Sequence, residues 1–253
     1  KELTKKDKKF FTLECAKTSI PFLFVNNVNS SIDSVLLPTM SKVQDNREYV
    51  KNMTRRAIKT SVFIMAPFLM GLASCSNNII TIVLTEKWLP CVPFMIIFCI
   101  TYMFYPIHTA NLNAIKAMGR SDLILKLEII KKIVGITLLL ITMNISVMAM
   151  SYSLLIVSVL GQIINSWPNK KMLNYSYIQQ LKDIAPSILL AATMGLIVYC
   201  WNFLNLSIIL TLVLQVLTGA GIYILGAKLL RIDTFDYLID IIKRFFKSKN
   251  IAE

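Results

Sequence analysis

Charge is missing from long stretches of this chain. Asp, Glu, Lys and Arg are absent from residues 60–85, 88–115, 133–169 and 184–227, runs of 26, 28, 37 and 44 residues. A helix needs about 20 apolar residues to cross a bilayer core of roughly 30 Å, so the first two runs hold one crossing each. At about 1.5 Å rise per residue, the two longer runs exceed one crossing. Each predicts a helical hairpin, broken near 143–146 and near 202–205. A weaker apolar stretch, 20–40, is interrupted by Asp33. The pattern predicts seven spans, near 20–40, 60–84, 89–113, 124–143, 147–167, 184–202 and 206–227. The expected fold is all-α, a polytopic membrane helix bundle of about six or seven transmembrane helices. The runs do not alternate with period two, which argues against a β-barrel.

Composition agrees. The 253 residues are 55% hydrophobic with a mean hydropathy of +0.62, and only 16% are charged, against about a quarter in soluble domains. Disorder and an ordinary soluble enzyme are both disfavoured. The net charge of +13 would suggest nucleic acid, but its placement gives another reading. Segments 42–59, 116–132, 168–183 and the tail from 228 carry 20 basic residues, whereas the opposite connections carry Lys87 alone. The positive-inside rule makes the basic side cytoplasmic, with the C-terminus inside and no nucleic-acid partner. Residues 1–18, with six lysines, break the alternation and form an atypical basic segment. The bundle is expected over 19–230. From 231 to 253, Phe235, Leu238, Ile239, Ile242 and Phe245 recur at helical spacing among Asp236, Asp240, Lys243, Arg244 and Lys247. That predicts an amphipathic tail helix on the inner membrane surface, facing membrane lipids.

Catalytic signatures are missing. The five cysteines form no C-x-x-C, there is one histidine, and neither a phosphate-binding loop nor H-E-x-x-H occurs. No catalytic residue, metal or cofactor is expected. Attention passes to polar groups at membrane depth, which are costly there and mark function. Asn26, Asn29 and Asp33 share a helical face by spacing. So do His108 and Asn111, and Thr109 and Asn113. These six residues apart from Thr109 (Asn26, Asn29, Asp33, His108, Asn111 and Asn113) are the candidates for lining a hydrophilic cavity, with interhelical hydrogen bonding as the plainer reading. Pro106 predicts a kink beside this face, and Pro67 with Gly71 another bend. Lys116, Arg120, Lys131 and Lys132 are either snorkelling anchors or a basic cytoplasmic vestibule for a phosphate-bearing headgroup.

Three segments carry a family resemblance. Asn29-Ser30-Ser31-Ile32-Asp33-Ser34-Val35-Leu36-Leu37-Pro38-Thr39-Met40-Ser41-Lys42 resembles an N-x-x-S-S-V-L-x-P-x-x-S-K segment. Leu84-Thr85-Glu86-Lys87-Trp88-Leu89-Pro90-Cys91-Val92-Pro93 resembles a G-x-K-W-x-P-A-V-P turn. Ala117-Met118-Gly119-Arg120-Ser121-Asp122-Leu123, followed by Lys126-Leu127-Glu128, resembles an A-x-G-R-x-D-L inner loop. In this order and spacing they are similar to the Wzx-type polysaccharide and O-antigen (lipopolysaccharide) flippases of the multidrug/oligosaccharidyl-lipid/polysaccharide exporter superfamily. The resemblance implies two six-helix lobes working by alternating access. It implies undecaprenyl-pyrophosphate-linked oligosaccharide as substrate. The seven spans would be the C-terminal lobe of a 12–14-helix flippase, with the N-terminal lobe and the polysaccharide assembly machinery as partners. A cation-coupled drug antiporter of the same fold and a truncated, non-transporting scaffold are the alternatives.

Overall fold

The computed structural model describes residues 20–204 and 206–252. Its elements are α1 (Ile20–Ser41), α2 (Arg47–Ser74), α3 (Ser76–Leu84), a 3₁₀ turn (Glu86–Cys91), α4 (Val92–Met103), α5 (Tyr105–Ala117), α6 (Ser121–Thr142), α7 (Val147–Leu173), α8 (Tyr177–Cys200), a second 3₁₀ turn (Trp201–Leu204), α9 (Ile208–Leu229) and α10 (Asp233–Ala252). No strand occurs among the described residues. The basic segment 1–18 lies outside them.

Both predicted hairpin breaks are present. Ser146 caps α7 by accepting from the Ala149 amide (3.0 Å), and α8 ends in the 3₁₀ turn at 201–204. Five helical stretches are long and apolar enough to cross a membrane: Arg47–Ser74, Glu86–Ala117, Val147–Leu173, Tyr177–Leu204 and Ile208–Leu229. The other two expected spans, α1 and α6, are helices of 22 residues each that fall short of that apolarity. The Asn/Ser/Asp face of α1 and the charges Lys126, Glu128, Lys131 and Lys132 of α6 account for this. The helices also run further than the charge-free runs. α2 begins at Arg47, α7 ends at Leu173 and α8 begins at Tyr177, so most basic residues expected in loops sit on helix ends. Lys and Arg are good helix formers, and a Ser176–Gln179 capping box starts α8.

α2 is the central mast. It packs most extensively on α8 and also touches α1, α4, α5, α7 and α9. Val50, Ile58, Val62, Met65, Ala66 and Leu69 of α2 are fully buried. Small residues let the neighbours approach closely, as membrane helices commonly do. A Cβ on Gly195 of α8 would meet Ser74 Oγ at 3.1 Å, and that hydroxyl donates to the Gly195 carbonyl (2.8 Å). α2 continues through Pro67 rather than ending there. Proline has no N–H for the carbonyl four residues back, which is that of Phe63. The Tyr223 hydroxyl of α9 donates to this carbonyl instead (2.9 Å). Where Pro106 predicted a kink the structure has a full break: α4 stops at Met103, and Pro106 occupies the first turn of α5, where its missing N–H costs nothing. The α6–α7 and α8–α9 hairpins flank the mast, and their outward faces carry exposed Leu, Ile and Val, as lipid contact requires.

Candidate membrane cavity and its polar surroundings

α1 and α5 pack side by side, and their polar faces meet across a cavity of about 450 Å³. Asn26, Asn29 and Asp33 of α1 face His108, Asn113 and Lys116 of α5 there, with Asn27, Ser30, Tyr105, Thr109 and Leu112 completing the wall. The i, i+3, i+4 spacing that singled out the first residues is the spacing that aligns them on one side of α1. Asn113 donates to Asp33 Oδ1 (2.5 Å). Asn29 is 5% exposed and Asn113 1%. Neither the amide nitrogen nor the oxygen of Asn29, nor the Asn113 oxygen, has a protein partner among the described residues. Unpaired buried amides are costly, so a small shift of these side chains toward the cavity would gain them partners. His108 Nδ1 pairs with the Asn165 side chain of α7, which fixes the ring behind the cavity wall.

Other candidates lie elsewhere. Asn111, expected to share the cavity with His108, is fully buried on a different side of α5 and does not line it. Its amide donates to Ser166 (3.0 Å) and to Gln180 (2.8 Å), and its side-chain oxygen accepts from Gln180 (3.1 Å) and Asn169 (2.6 Å). This is an interhelical network joining α5, α7 and α8. A turn of 100° per residue puts Asn111 and His108 some 60° apart, enough to separate cavity from core. Of the four basic candidates, only Lys116 lines the cavity. Lys131 is largely buried between α6 and α7 and paired with Glu128, in a second, smaller cavity of about 250 Å³ that shares Tyr105 and His108. Lys132 is exposed. Arg120 is exposed and forks onto Asp122 (3.0 and 3.1 Å), holding that carboxyl below the usual range through the hydrogen bond. The vestibule therefore reduces to Lys116 at the cavity itself.

Asn27 and Ser30, in the same Asn/Ser stretch of α1, join the wall of the main cavity. Two side-chain networks and a groove went unread in the sequence. Asp183 of α8, 9% exposed, takes both Arg55 Nε (2.7 Å) and Nη2 (2.5 Å) and accepts from the Tyr175 hydroxyl (2.8 Å). At the other end of the bundle, Asn78 donates to Asn202 (3.1 Å) and Gln215 (3.0 Å), and Gln215 donates to Asn202 (3.1 Å). An apolar groove of about 480 Å³ runs between α2, α8 and α9, lined by residues such as Phe68, Met194, Val216 and Ile224.

Comparison with known proteins agrees with this architecture. A family model described as a polysaccharide biosynthesis protein matches residues 15–93. The teichuronic acid biosynthesis protein TuaB of Bacillus subtilis is 24% identical over 182 residues, covering 72% of this chain and 37% of TuaB. The lipopolysaccharide biosynthesis protein WzxC of Escherichia coli is 27% identical over 104 residues, covering 41% of this chain and 21% of WzxC. The solved lipid II flippase MurJ, in an inward closed conformation, superposes with a TM-score of 0.71 at 19% identity, over 88% of this chain and 47% of MurJ. The chain thus spans less than half the length of the relatives it matches. It is a multi-pass membrane protein, similar over part of its length to polysaccharide biosynthesis proteins and sharing the fold of the lipid II flippase.

Proposed function

We propose that this chain forms one lobe of a transporter that moves a lipid-linked oligosaccharide across the bacterial inner membrane for polysaccharide biosynthesis, without catalysing a reaction. The carrier is undecaprenyl pyrophosphate, and the lobe works by alternating access against a second lobe. The basic ends of the bundle, and the C-terminus with them, face the cytoplasm.

The observation that carries the proposal is the polar cavity between α1 and α5. A sugar-pyrophosphate headgroup is large, hydrophilic and anionic, and in a bilayer it needs a wall of hydrogen-bonding groups with a cation nearby. Asn26, Asn29, Ser30 and Asn113 offer neutral donors and acceptors suited to sugar hydroxyls. Lys116, at the edge of the same cavity, is suited to the phosphates. Asp33, tied to Asn113, keeps that amide oriented. The apolar groove between α2, α8 and α9 suits a prenyl chain. The family match and the relatives' roles in polysaccharide assembly support the same reading.

The test is reconstitution into vesicles with a labelled polyprenyl-pyrophosphate oligosaccharide, using a longer protein that contains this chain. Substitution of Asn29 or Asn113 by Leu is expected to slow flipping about ten-fold or more, since each removes hydrogen bonds in a buried site. Absence of flipping by the parent protein, in the presence of intact folding, would sink the proposal.

A further inference from the structure

A further polar cavity, of about 440 Å³, lies between the charged end of α2 and the first turns of α10 and shares no lining residue with the first. Arg55, Arg56, Lys59 and Asn52 line one wall, and Asp233 and Tyr237 the other. The charges do not cancel. Arg55 is held by Asp183, and Lys59 reaches Asp233 at 3.2 Å. Asp233 is 88% exposed, and such pairs hold weakly. Arg56 lies over the Tyr237 ring at 4.6 Å and makes no ion pair among the described residues. Three cations therefore line a cavity that holds one carboxylate, Asp233, while Asp183 holds Arg55 from outside it, leaving Arg56 and the loosely held Lys59 facing the cavity. The depth is also informative. The charge-free run of α2 begins at Thr60, which itself lines the cavity, so this cavity sits where the apolar zone ends. On its far side Phe235 of α10 packs near Phe63 of α2, with ring centroids 6.4 Å apart.

We infer that this cleft binds the phosphate of an anionic membrane lipid headgroup and that the lipid clamps α10 onto α2. Arg56 supplies a planar fork and Lys59 a point charge, the pair of donors that phosphate oxygens take best, and the Asn52 amide adds a neutral donor. Nothing in this assignment depends on what the protein transports.

The experiment compares the chain in phosphatidylcholine nanodiscs, in discs containing phosphatidylglycerol, and in phosphatidylcholine discs with added inorganic phosphate. Thermal unfolding and native mass spectrometry of retained lipid are the readouts. Phosphatidylglycerol is expected to raise the unfolding temperature and to remain bound. Arg56→Gln with Lys59→Gln should weaken that retention about ten-fold, as loss of a charge-assisted contact would, whereas Lys170→Gln, a remote surface change, should leave it unaltered. Single variants serve if the double one misfolds. Equal behaviour in all three discs, or full retention in the R56Q and K59Q variants, overturns the assignment. A gain reproduced by inorganic phosphate supports the phosphate chemistry but overturns the lipid source.

Discussion

Replacing Tyr223 by Phe removes one oxygen atom and should unsettle a helix 160 residues away. The Phe63 carbonyl has no amide partner within α2 because Pro67 occupies the position four residues on. It is served by the Tyr223 hydroxyl at 2.9 Å. Both residues are 7% exposed, so water cannot replace that bond. An unsatisfied buried acceptor costs about 1–3 kcal/mol, and more where the surroundings are lipid. Tyr223→Phe is therefore expected to lose about 1–3 kcal/mol. The same change also frees the Ser187 hydroxyl hydrogen-bonded to this phenol, so the single variant alone does not isolate the carbonyl. The decisive comparison adds Pro67→Ala. Alanine restores an amide to the Phe63 carbonyl, so Tyr223→Phe should cost less in the Pro67→Ala background, by about 1–2 kcal/mol, while the Ser187 contribution cancels across the cycle. Reversible unfolding of the four proteins in mixed micelles measures this. Costs that add to within about 0.5 kcal/mol would refute the idea that tyrosine stands in for the missing amide.

Asp183→Ala should destabilise by about 2–4 kcal/mol, because it strands the fully buried Tyr175 hydroxyl and the Arg55 fork together; Tyr175→Phe, which leaves Arg55 paired, should cost only about 1 kcal/mol in the same melts. Asn111→Leu should cost about 2–3 kcal/mol, four side-chain bonds at roughly 0.6 kcal/mol each in a membrane. Each of its partners keeps one other hydrogen bond, so a loss above about 5 kcal/mol would contradict this accounting. Among glycines, Gly221→Ala meets nothing within 4 Å and should stabilise α9 by up to about 1 kcal/mol. Gly195→Ala presses on Ser74 Oγ at 3.1 Å and should lower the unfolding temperature by several degrees, a loss of about 1–2 kcal/mol.

Much of the fold was legible because membranes impose a single strong rule: charge is excluded over fixed lengths. That rule located the five apolar stretches of membrane-crossing length and both hairpin turns. It could not fix helix ends, since a helix that leaves the bilayer continues into water for as long as residues such as Arg47–Lys59 favour it. Polar candidates were legible by face, which is why Asn26, Asn29 and Asp33 were found together. What the sequence could not tell is which neighbour a face meets. Asn111 and Asn113 are two residues apart on one helix and look alike in the sequence; one meets Gln180 in the core and the other meets Asp33 at the cavity. Asp183 was passed over because it borders an apolar run and looks like a topology charge, whereas its partners Arg55 and Tyr175 arrive from distant and adjacent segments respectively.

The long reach of the Tyr223–Phe63 bond also bears on how the protein is made. α2 leaves the ribosome well before α9, and in that interval its interrupted backbone has no permanent partner. The same holds for Asn78, which waits for Gln215, and for Arg55, which waits for Asp183. Membrane insertion of the early helices therefore precedes their final docking by more than a hundred residues of synthesis. Over that interval the nascent α2 needs water, lipid headgroups or a chaperoning insertase to shield it. Released chains truncated before residue 183 should consequently be degraded faster than chains that extend through α9, in which the last of these bonds can close.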